Sequence, residues 1–539
     1  MLNAIPRDWF RFFEEKVNTA VERWLPDNYN PQRARDKKVI RDALWGFNLY
    51  YPHEISIIDS SLFQRLRGIA QTSLAQYTYP SATHTRFQHS LGAVTLAEKV
   101  LKSLNEKMVE RGHERIEATS RLETRLAALL HDVGHGPFSH GTEEYFKRHP
   151  AFDALRKQIP ELFKDSVASE ILSYFVVKSR AFQRFWQKVV DLYPKKRLHH
   201  ISLDNVARLI IGHPLSPQDH YLTQIINGPF DVDKLDYLSR DGYYTGLRLH
   251  IDVDRLLLAV DLGKPHGESS ELVIDFGGVS ALEQLLFSKM VIFTSVYHHH
   301  KVRSSLYSLF KILDTIMEGP AGILGACLAD PEFIDETTGK PYPNPFSFLL
   351  LDDHDLLGGY SVPETASEAE RQYLNRLNKL ILDLKGRRFL KRAIVLSMGV
   401  LSDEDGSQSL FSLLLEPARR QHVEDIRRDI ALRSEQPIND IVIDIPSPPR
   451  FDAISSEAYI KMSEERCVEL ESVFPTSGWV TGYAQYKNKV YILCPEKVKG
   501  RVGQCAVNVL KEYGITVKPE ALEQAKQSFN IIRSTFPVF

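Results

Sequence analysis

One stretch of this chain, LAALLHDVGHGPFSH at residues 126–140, constrains its fold more than any other. An apolar helical run ends there in His131 and Asp132, and two glycines and a proline stop the helix directly afterwards. Imidazole and carboxylate are the usual ligands of a hydrolytic divalent metal. Adjacent residues at a helix end can both turn toward one ion if neighbouring helices supply the remaining ligands. The stretch therefore predicts a helical fold around a metal site.

A His-Asp pair alone is weak evidence, because a second pair, His354-Asp355, occurs in the acidic stretch LLLDDHDLLGG. The glycines that end this stretch predict a solvated turn. The pair His131-Asp132 differs because two further candidate ligands occur elsewhere in the chain. They are His89, in HTRFQHSLG, and Asp233, in FDVDKLDYLSRD. Facing helices can bring such distant positions to one ion. Two imidazoles and two carboxylates would bind iron, manganese, zinc or magnesium.

Residues close to these four suit phosphate chemistry. Arg86 could make a bidentate contact with a phosphate group, and Lys234 supplies a point charge. His135, His140 and Glu143 follow the first His-Asp pair and could serve as acid, base or orienting partner. Each histidine taken singly is more readily explained as a surface or hydrogen-bonded core residue, whereas the joint pattern indicates a site.

Length and composition favour a soluble protein of several domains. The 539 residues allow two to four domains, and 67 basic against 69 acidic residues give no basic field that would favour nucleic acid. The four cysteines are widely spaced and form no CxxC pair, so we expect reduced thiols in a cytoplasmic protein. We find no apolar run of membrane-spanning length, and the amphipathic start predicts a helix packed on the protein or a partner subunit rather than on a membrane.

The order of the patterns predicts a mainly α protein, with a helical core and a small α/β appendage at its C-terminal end. We expect four regions. Residues 1–38 form an amphipathic helix and linker, 39–318 form the helical core that carries the site, 319–435 form an excursion of loops and helices, and 436–539 form the α/β region.

Individual elements follow from the same periodicity. The central helix should span residues 120–132, with Ser120 and Glu123 spaced as a capping box. A second helix should begin near His89, and a third should run without interruption through 280–318. The remaining predictions are an extended segment at 271–281, a charged helix at 366–384, and strands at 439–447 and 488–496.

Four motifs together resemble the HD-domain phosphohydrolases. They are IIDSSLFQRLRGIAQ, YTYPSATHTRFQHSLG, LLHDVGHGPFSH and NGPFDVDKLDYLSRD, and they span roughly residues 57–241. The last motif is more specific than a generic signature and is similar to the deoxynucleoside triphosphate triphosphohydrolases, which include a mammalian enzyme with a sterile alpha motif. Residues 1–38 show no sterile alpha motif.

The resemblance implies an activity, a cofactor and partners. The activity is hydrolysis of a deoxynucleoside triphosphate to a deoxynucleoside and inorganic triphosphate, by attack of a metal-activated water on the α-phosphorus. The cofactor is a divalent transition metal such as Fe, Mn, Zn or Ni, with Mg as an optional second ion. The partners are the deoxynucleotide substrate and further copies of the chain, in a homodimer or homotetramer. Single-stranded nucleic acid stays open as another ligand, and no membrane is implied.

The resemblance also implies roles for particular residues. The implied metal ligands are His89, His131, Asp132 and Asp233. The implied substrate-binding residues are Gln71, Arg86, Lys234, Tyr237, Asp241 and Tyr297. The implied catalytic residues are His140, His135 and Glu143. Among these, Arg86 and Lys234 would meet phosphate and Tyr237 would face the deoxyribose, where an aromatic ring leaves no room for a 2′-hydroxyl.

Some positions depart from the family pattern. Lys164 and Asp165 stand where the family often has a histidine, and Lys289 or Met290 lies near an expected arginine. Three histidines follow Tyr297, so the register of a Tyr-x-His-Lys motif is ambiguous by one residue. A lysine holds a terminal phosphate with one point charge instead of a bidentate fork. We therefore expect a looser hold on the γ-phosphate.

Three functions remain open on the sequence. The first is a dNTP triphosphohydrolase, the second is a nuclease, phosphodiesterase or nucleotide phosphatase on the same metal site, and the third is a nucleotide-sensing scaffold with a vestigial site. The intact ligand set disfavours the third, and Gln71, Tyr237 and Asp241 favour the first over the second. Asp59 and Arg67 match a guanine-reading pair of the family's regulatory site. Relatives without such regulation share that motif, so allosteric control stays open.

Overall fold

A computed structural model describes residues 8–267, 269–319, 328–336, 338–401, 420–446, 458–476, 478, 482 and 489–526. The chain divides into two compact units. The first comprises Met1–Ile292, Phe310–Ile381 and Asp452–Phe474, and the second comprises Phe293–Leu309, Leu382–Phe451 and Pro475–Phe539. Helices make up most of the described structure, which confirms the mainly α class. The four regions drawn from the sequence stay a prediction.

The helices are numbered here in chain order. The first eleven are α1 (Trp9–Trp24), α2 (Pro52–Ile58), α3 (Ser61–Gln64), α4 (Arg86–Glu110), α5 (Ala118–Leu130), α6 (His140–Phe146), α7 (Pro150–Gln158), α8 (Pro160–Phe163), α9 (Ala168–Lys178), α10 (Arg180–Leu192) and α11 (Leu203–Ile210). The others are α12 (His220–Ile226), α13 (Val232–Thr245), α14 (Val253–Ala259), α15 (Val279–Ile292), α16 (His300–Met317), α17 (Asp353–Leu357), α18 (Glu368–Lys385), α19 (Arg420–Ser434), α20 (Leu470–Val473), α21 (Lys499–Glu512) and α22 (Glu520–Lys526).

The strands form four small sheets. They are β1 (Lys38–Asp42), β2 (Gly46–Tyr50), β3 (Val260–Gly263), β4 (Glu271–Asp275), β5 (Ala329–Ile334), β6 (Pro341–Pro343), β7 (Lys391–Leu396), β8 (Val442–Asp444), β9 (Tyr459–Ser463), β10 (Arg466–Glu469) and β11 (Val490–Cys494). In the first unit, β1 pairs with β2, β5 pairs with β6, and a four-stranded sheet has the order β10-β9-β4-β3. All of its pairs are antiparallel except β4 with β9, in which Ile274 lies opposite Ile460.

The first unit is a helical assembly centred on α4 and α5. Helix α4 packs against α5 and α13, and α5 also packs against α11. Helix α1 covers one side of this assembly, and its Phe13 is fully buried, with its ring 5.3 Å from that of Phe175 on α9. The N-terminal helix is therefore packed on the protein, as its amphipathic pattern predicted.

The second unit is built on the antiparallel sheet β7-β11-β8. Helices α19 and α21 cover this sheet with a core that includes Ile394, Ile430, Ile492 and Val502. The strands predicted at 439–447 and 488–496 are confirmed as β8 and β11, although Ser447 and Asn488 lie outside the described residues. The small α/β part near the C-terminal end is thus confirmed.

The ends of α4 and α5 differ from the predictions. Helix α4 begins at Arg86, three residues before His89, because Thr85 and Gln88 form a capping box. The capping box predicted at Ser120 and Glu123 is wrong, since α5 already begins at Ala118. The carboxylate of Glu123 instead accepts hydrogen bonds from residues at the start of α11, including the backbone N–H of Ser202 at 2.7 Å.

The uninterrupted helix predicted at 280–318 is also wrong. Helix α15 ends at Ile292, a π-helical turn covers Phe293–Tyr297, and α16 begins at His300. The N–H of His298 donates to the carbonyl of Phe293 at 2.8 Å, which is the five-residue spacing of a π-turn. The charged helix predicted at 366–384 is confirmed as α18, and the extended segment predicted at 271–281 is present as β4, which ends at Asp275.

The structure bears on two expectations, the absence of a membrane-spanning run and the reduced state of the cysteines. The stretch Phe276–Tyr297 is long and apolar enough to cross a membrane by length and composition, so the expectation that no run reaches this length is wrong. Of the apolar 18-residue window within this stretch, 56% is buried inside the protein, as for a core helix. Cys467, Cys494 and Cys505 are free thiols, and Cys327 lies outside the described residues.

Candidate metal centre

Three helices bring donor atoms to one point. His89 lies in the first turn of α4, His131 directly follows α5, and Asp233 opens α13. The Nε2 atom of His89 lies 3.1 Å from His131 Nε2 and 2.9 Å from Asp233 Oδ1. The ligand atoms of the three residues all lie within 4.8 Å of one another.

Asp132, which follows His131 after the end of α5, also lies close to this group. Its Oδ2 atom lies 3.5 Å from His89 Nε2, and its Oδ1 atom lies 3.5 Å from His131 Nε2. The same Oδ2 accepts a hydrogen bond from Arg86 Nη1 at 2.7 Å. The structure therefore brings together all four residues that the sequence predicted as ligands.

The outer nitrogens of both imidazoles are held by acceptors. His89 Nδ1 lies 2.7 Å from the carboxylate of Asp236, and His131 Nδ1 lies 2.8 Å from the carbonyl of Ala128. When each Nδ1–H donates to its acceptor, each Nε2 is unprotonated, and its lone pair faces the shared point, which is the space between the two Nε2 atoms and the Asp233 carboxylate. An imidazole held in this way by a carboxylate or carbonyl is the usual arrangement at protein metal sites.

The charges at this point favour a cation. Burial lowers the pKa of His89, but hydrogen bonds with Asp233 and Asp236 outweigh it and raise the pKa to about 10. Burial opposes ionisation of Asp233, yet hydrogen bonds with His131 and His89 hold its pKa well below its ordinary value. Carboxylates that stabilise a proton on buried imidazoles would equally stabilise a metal, which competes for the same nitrogens.

The donor set passes a simple test of fit. Metal–nitrogen bonds of about 2.0–2.1 Å place neighbouring ligands on one ion about 3 Å apart. The nitrogens and oxygens of His89, His131 and Asp233 lie 2.9–3.7 Å apart. Two imidazoles with carboxylates suit a transition metal, whereas Mg²⁺ prefers oxygen ligands alone. These residues could therefore hold a divalent transition metal.

Asp236 is a site residue that the sequence analysis missed. Its carboxylate is fully buried and accepts hydrogen bonds from Arg240 Nε and Nη2, both at 2.8 Å, and from Trp45 Nε1 at 2.5 Å, besides contacting His89. The glycine of the HSLG motif explains the close approach, because a Cβ on Gly92 would overlap Asp236 Oδ1. The i, i+4 spacing of Asp236 and Arg240 was the available signal.

A second group of donors comprises His135, His140 and Glu143, whose ligand atoms also lie within 4.8 Å of one another. His140 Nδ1 lies 2.8 Å from Glu143 Oε2, and Glu143 Oε1 accepts from the N–H and hydroxyl of Ser169 at 3.0 and 2.9 Å. Burial opposes ionisation of Glu143, but the His140 and Ser169 bonds hold its pKa far below its ordinary value. His140 is 69% exposed, so it lies at the mouth of the site.

Several buried polar atoms beside the metal centre have no hydrogen-bond partner within the described part of the chain. They include Arg86 Nη2, His135 Nδ1 and Gln71 Oε1. Arg86 is otherwise fixed by Asp132 and by the hydroxyl of Ser139, to which its Nε donates at 2.9 Å. A buried polar group without a partner is costly, so these three atoms are well placed to bind a polar ligand.

The loop between His135 and His140 has a strained backbone and is held in place by hydrogen bonds to Asp353. Phe138 and Ser139 have φ of 54° and 51°, which non-glycine residues rarely adopt. The carboxylate of Asp353 accepts hydrogen bonds from the N–H of Phe138 at 2.5 Å and of Ala70 at 2.9 Å. This corrects the prediction of a solvated turn, because Asp353 starts helix α17 and faces inward, although His354 is exposed as expected.

Helix α13 presents one face to the site. Asp233, Tyr237 and Asp241 follow each other at four-residue spacing, so they lie on the same side of the helix. Asp241 Oδ1 lies 2.6 Å from Nε2 of the buried His84. Lys234 donates to the carbonyl of Gly228 at 2.8 Å and pairs with the adjacent Asp231.

The other predicted positions are more distant or stay untested. Tyr297 belongs to the second compact unit, and its contact with a substrate stays a prediction. Lys164 and Asp165 are exposed, and Lys289 is buried on α15.

Comparison with known proteins agrees with this geometry. Residues 86–241 match the family model of the HD domain, and this range contains all four predicted ligands. The chain therefore carries an HD domain, and it resembles the HD-domain phosphohydrolases, as its motifs predicted.

The chain is similar to three proteins in particular. An uncharacterised protein of Methanocaldococcus jannaschii is 33% identical over 267 residues, which are 49% of this chain and 47% of that protein. The deoxynucleoside triphosphate triphosphohydrolase SAMHD1 homolog of Dictyostelium discoideum is 26% identical over 70% of this chain and 63% of that protein. The deoxynucleoside triphosphate triphosphohydrolase SAMHD1 of Bos taurus is 32% identical over 41% of this chain and 38% of its own length. The chain thus spans less than two thirds of each of these relatives.

Proposed function

We propose that this protein is a metal-dependent hydrolase that converts deoxynucleoside triphosphates to deoxynucleosides and inorganic triphosphate. The convergence of His89, His131 and Asp233 within an HD domain carries the proposal. Relatives named as deoxynucleoside triphosphate triphosphohydrolases support this choice of substrate.

The metal would be held by the two imidazoles and by the carboxylates of Asp132 and Asp233. A divalent ion bound there supplies a water of lowered pKa and polarises a phosphoryl oxygen. The nitrogen-containing donor set favours Fe, Mn, Zn or Ni over Mg as the resident ion.

Arg86 is the residue best placed to bind the phosphates. Its Nη1 and Nε are already engaged by Asp132 and Ser139, so the guanidinium is oriented before a substrate arrives. Its Nη2, which has no partner in the described part of the chain, would donate to a phosphate oxygen. A cation fixed in advance stabilises charge on the transferred phosphoryl group without reorganisation.

His140 is suited to hold the proton that the reaction needs. Hydrolysis joins the water oxygen to the α-phosphorus and breaks its bond to O5′, and the departing O5′ must gain a proton. The ionised Glu143 accepts the hydrogen bond of His140 Nδ1–H, so Nε2 is directed away from that carboxylate. His140 Nε2 can therefore deliver a proton to O5′, which contributes about 10²–10⁴-fold in rate for a positioned acid.

The sugar would lie along helix α13. Tyr237 stands between Asp233 and Asp241 on one helix face, one turn from each. A nucleotide whose α-phosphate lies near Asp233 would place its deoxyribose beside this ring. The ring would crowd a 2′-hydroxyl, so ribonucleotides should react poorly.

One experiment tests the proposal directly. The protein is incubated with Mn²⁺ or Mg²⁺ and, separately, dGTP, dGDP, GTP and single-stranded DNA, and products are identified by chromatography. We expect triphosphate from dGTP, slower but measurable turnover of dGDP, and poor turnover of GTP. Shortened oligonucleotides without triphosphate release would indicate a nuclease and refute the proposal. Equal kcat/KM for GTP and dGTP would refute the role of Tyr237.

A further inference from the structure

The first unit contains a cavity of about 840 Å³ outside the metal centre. Its walls include Lys102 and Asn105 near the C-terminal end of α4, and Ala118 and Arg121 at the N-terminal end of α5. The metal ligand His131 follows the opposite end of α5, and the 13 residues of that helix span about 20 Å. The cavity is therefore separate from the metal centre, although the same two helices build both.

The charges that line the cavity are mostly positive. Five of its lining residues are lysine or arginine, against two glutamates. Lys102 lies 3.8 Å from Glu106, and Arg121 pairs with a glutamate outside the lining. Lys37, Arg115 and Lys196 make no ion pair with any residue that the structure describes. Three cations that form no ion pair with the described residues, in a lining where basic residues outnumber acidic ones, favour the binding of an anion.

The N-terminus of α5 adds to this field. No acidic residue occurs in its first turn, and the N-cap residue Glu117 makes no capping hydrogen bond through its side chain. Unsatisfied N–H groups at the start of a helix carry a partial positive charge and bind anions. Ala118 and Arg121, both in that first turn, line the cavity.

His53 supplies an independent sign of a ligand site. It lines the cavity but is only 4% exposed, and its Nε2 atom has no hydrogen-bond partner among the described residues. Its ring stacks with that of Tyr51 at 5.8 Å and packs edge-on against Trp186 at 6.3 Å, so it is firmly held. A ligand in the cavity would have this imidazole in its wall.

We propose that this cavity binds a small organic anion that carries a phosphate or similar group on an apolar body. The anionic group would lie among Lys37, Arg115 and Lys196, close to the start of α5. The apolar body would contact Ile116 and Leu198, which also line the cavity. This ligand is distinct from the substrate of the HD domain, and the inference does not depend on the proposed reaction.

Phenylphosphonate is a suitable probe, because its carbon–phosphorus bond resists a phosphohydrolase. Its affinity for the full-length protein is measured by calorimetry, with Trp186 fluorescence as a local reporter. Removing one partly screened charge should weaken binding about five-fold in Lys196→Gln. The neighbouring Lys195 does not line the cavity, so Lys195→Gln is the matched control and should change the affinity less than two-fold.

Further measurements separate the sources of binding. Inorganic phosphate and phenol should each bind more weakly than phenylphosphonate, since each offers one half of the contact. Arg86→Ala, which alters the metal centre, should leave the affinity unchanged. The proposal is overturned if the two lysine variants behave alike, if Arg86→Ala abolishes binding, or if no saturable binding is seen at millimolar concentrations.

Discussion

Replacing Asp236 by asparagine should weaken both the fold and metal binding, and a matched control can separate the two effects. The carboxylate holds His89 Nδ1 at 2.7 Å and also accepts two bonds from Arg240 and one from Trp45. An asparagine has a single acceptor oxygen, so its NH₂ group would face at least one of these N–H donors. With the NH₂ group at the Oδ2 position, the imidazole of His89 loses the acceptor of its Nδ1–H; with the oxygen there, His89 keeps a neutral and weaker acceptor in place of a carboxylate.

The structure gives a magnitude for two separate effects. Asp236 and Arg240 are both fully buried, and breaking a buried ion pair costs about 3–5 kcal/mol of folding stability. Arg240 keeps a second carboxylate, that of Asp42 at 3.0 Å, so we expect the lower end, about 3 kcal/mol. Loss of a residue that orients a metal ligand lowers metal affinity about 10–100-fold.

The chain offers a matched control for the stability effect. Glu54 and Arg125 form an equally buried pair, with bonds of 2.6 and 2.7 Å, and Arg125 keeps a second carboxylate in Glu98. Denaturant unfolding with a chelator should show similar losses for Asp236→Asn and Glu54→Gln. Competition with a metal-binding dye should show weaker metal binding only in Asp236→Asn. If metal affinity changes equally in the two variants, the orienting role of Asp236 is refuted.

Other perturbations test the ligands, the loop clamp and the assembly. His131→Ala and Asp132→Ala should each lose bound transition metal by elemental analysis while keeping their helical circular dichroism, whereas His354→Ala should keep its metal; unchanged metal in the first two would refute the ligand assignment. Burial raises the pKa of Asp353 to about 7, so the native state binds more protons there than the unfolded chain, and its contribution to stability should fall as pH rises from about 4 to about 7. Asp353→Asn should flatten Tm over that window, and an unaltered profile would contradict this. Light scattering should find a dimer or tetramer with or without dNTP, and a 61.7 kDa monomer in both states would contradict it.

The metal ligands could be predicted because their chemistry is local in the sequence. The His-Asp pair at the end of an apolar helix indicates a metal site only together with the motifs that contain His89 and Asp233, and the glycines beside the pair mark close approach. Gly134 shows why: a Cβ there would overlap the backbone N–H of Ser173 on α9. A glycine in such a motif indicates that another part of the chain packs closely there, even when the packing partner is not known from the sequence.

Other features depend on partners far away in the chain and carried no local signal. Asp353 lies 215 residues from Phe138, whose N–H it caps, and its acidic neighbours indicated solvent instead. The spacing of Ser120 and Glu123 fits a capping box, but the start of α11 offered Glu123 buried donors, and these tertiary bonds prevailed. Strand β9 likewise pairs with β4 from 186 residues away, since Ile460 lies opposite Ile274.

Helix α13 carries both a residue that was predicted from its local motif and a residue whose role depends on a distant partner. One face carries Asp233, which reaches the metal point, while Asp236 lies on the face toward α4 and holds His89 from behind. The α4–α13 contact can be that close only because residue 92 lacks a side chain. The close packing of α4 against α13 therefore also sets the orientation of the His89 imidazole. A side chain at residue 92 would push Asp236 away from its place behind His89, so Gly92→Ala should weaken metal binding in the dye competition, although Gly92 offers no ligand atom of its own.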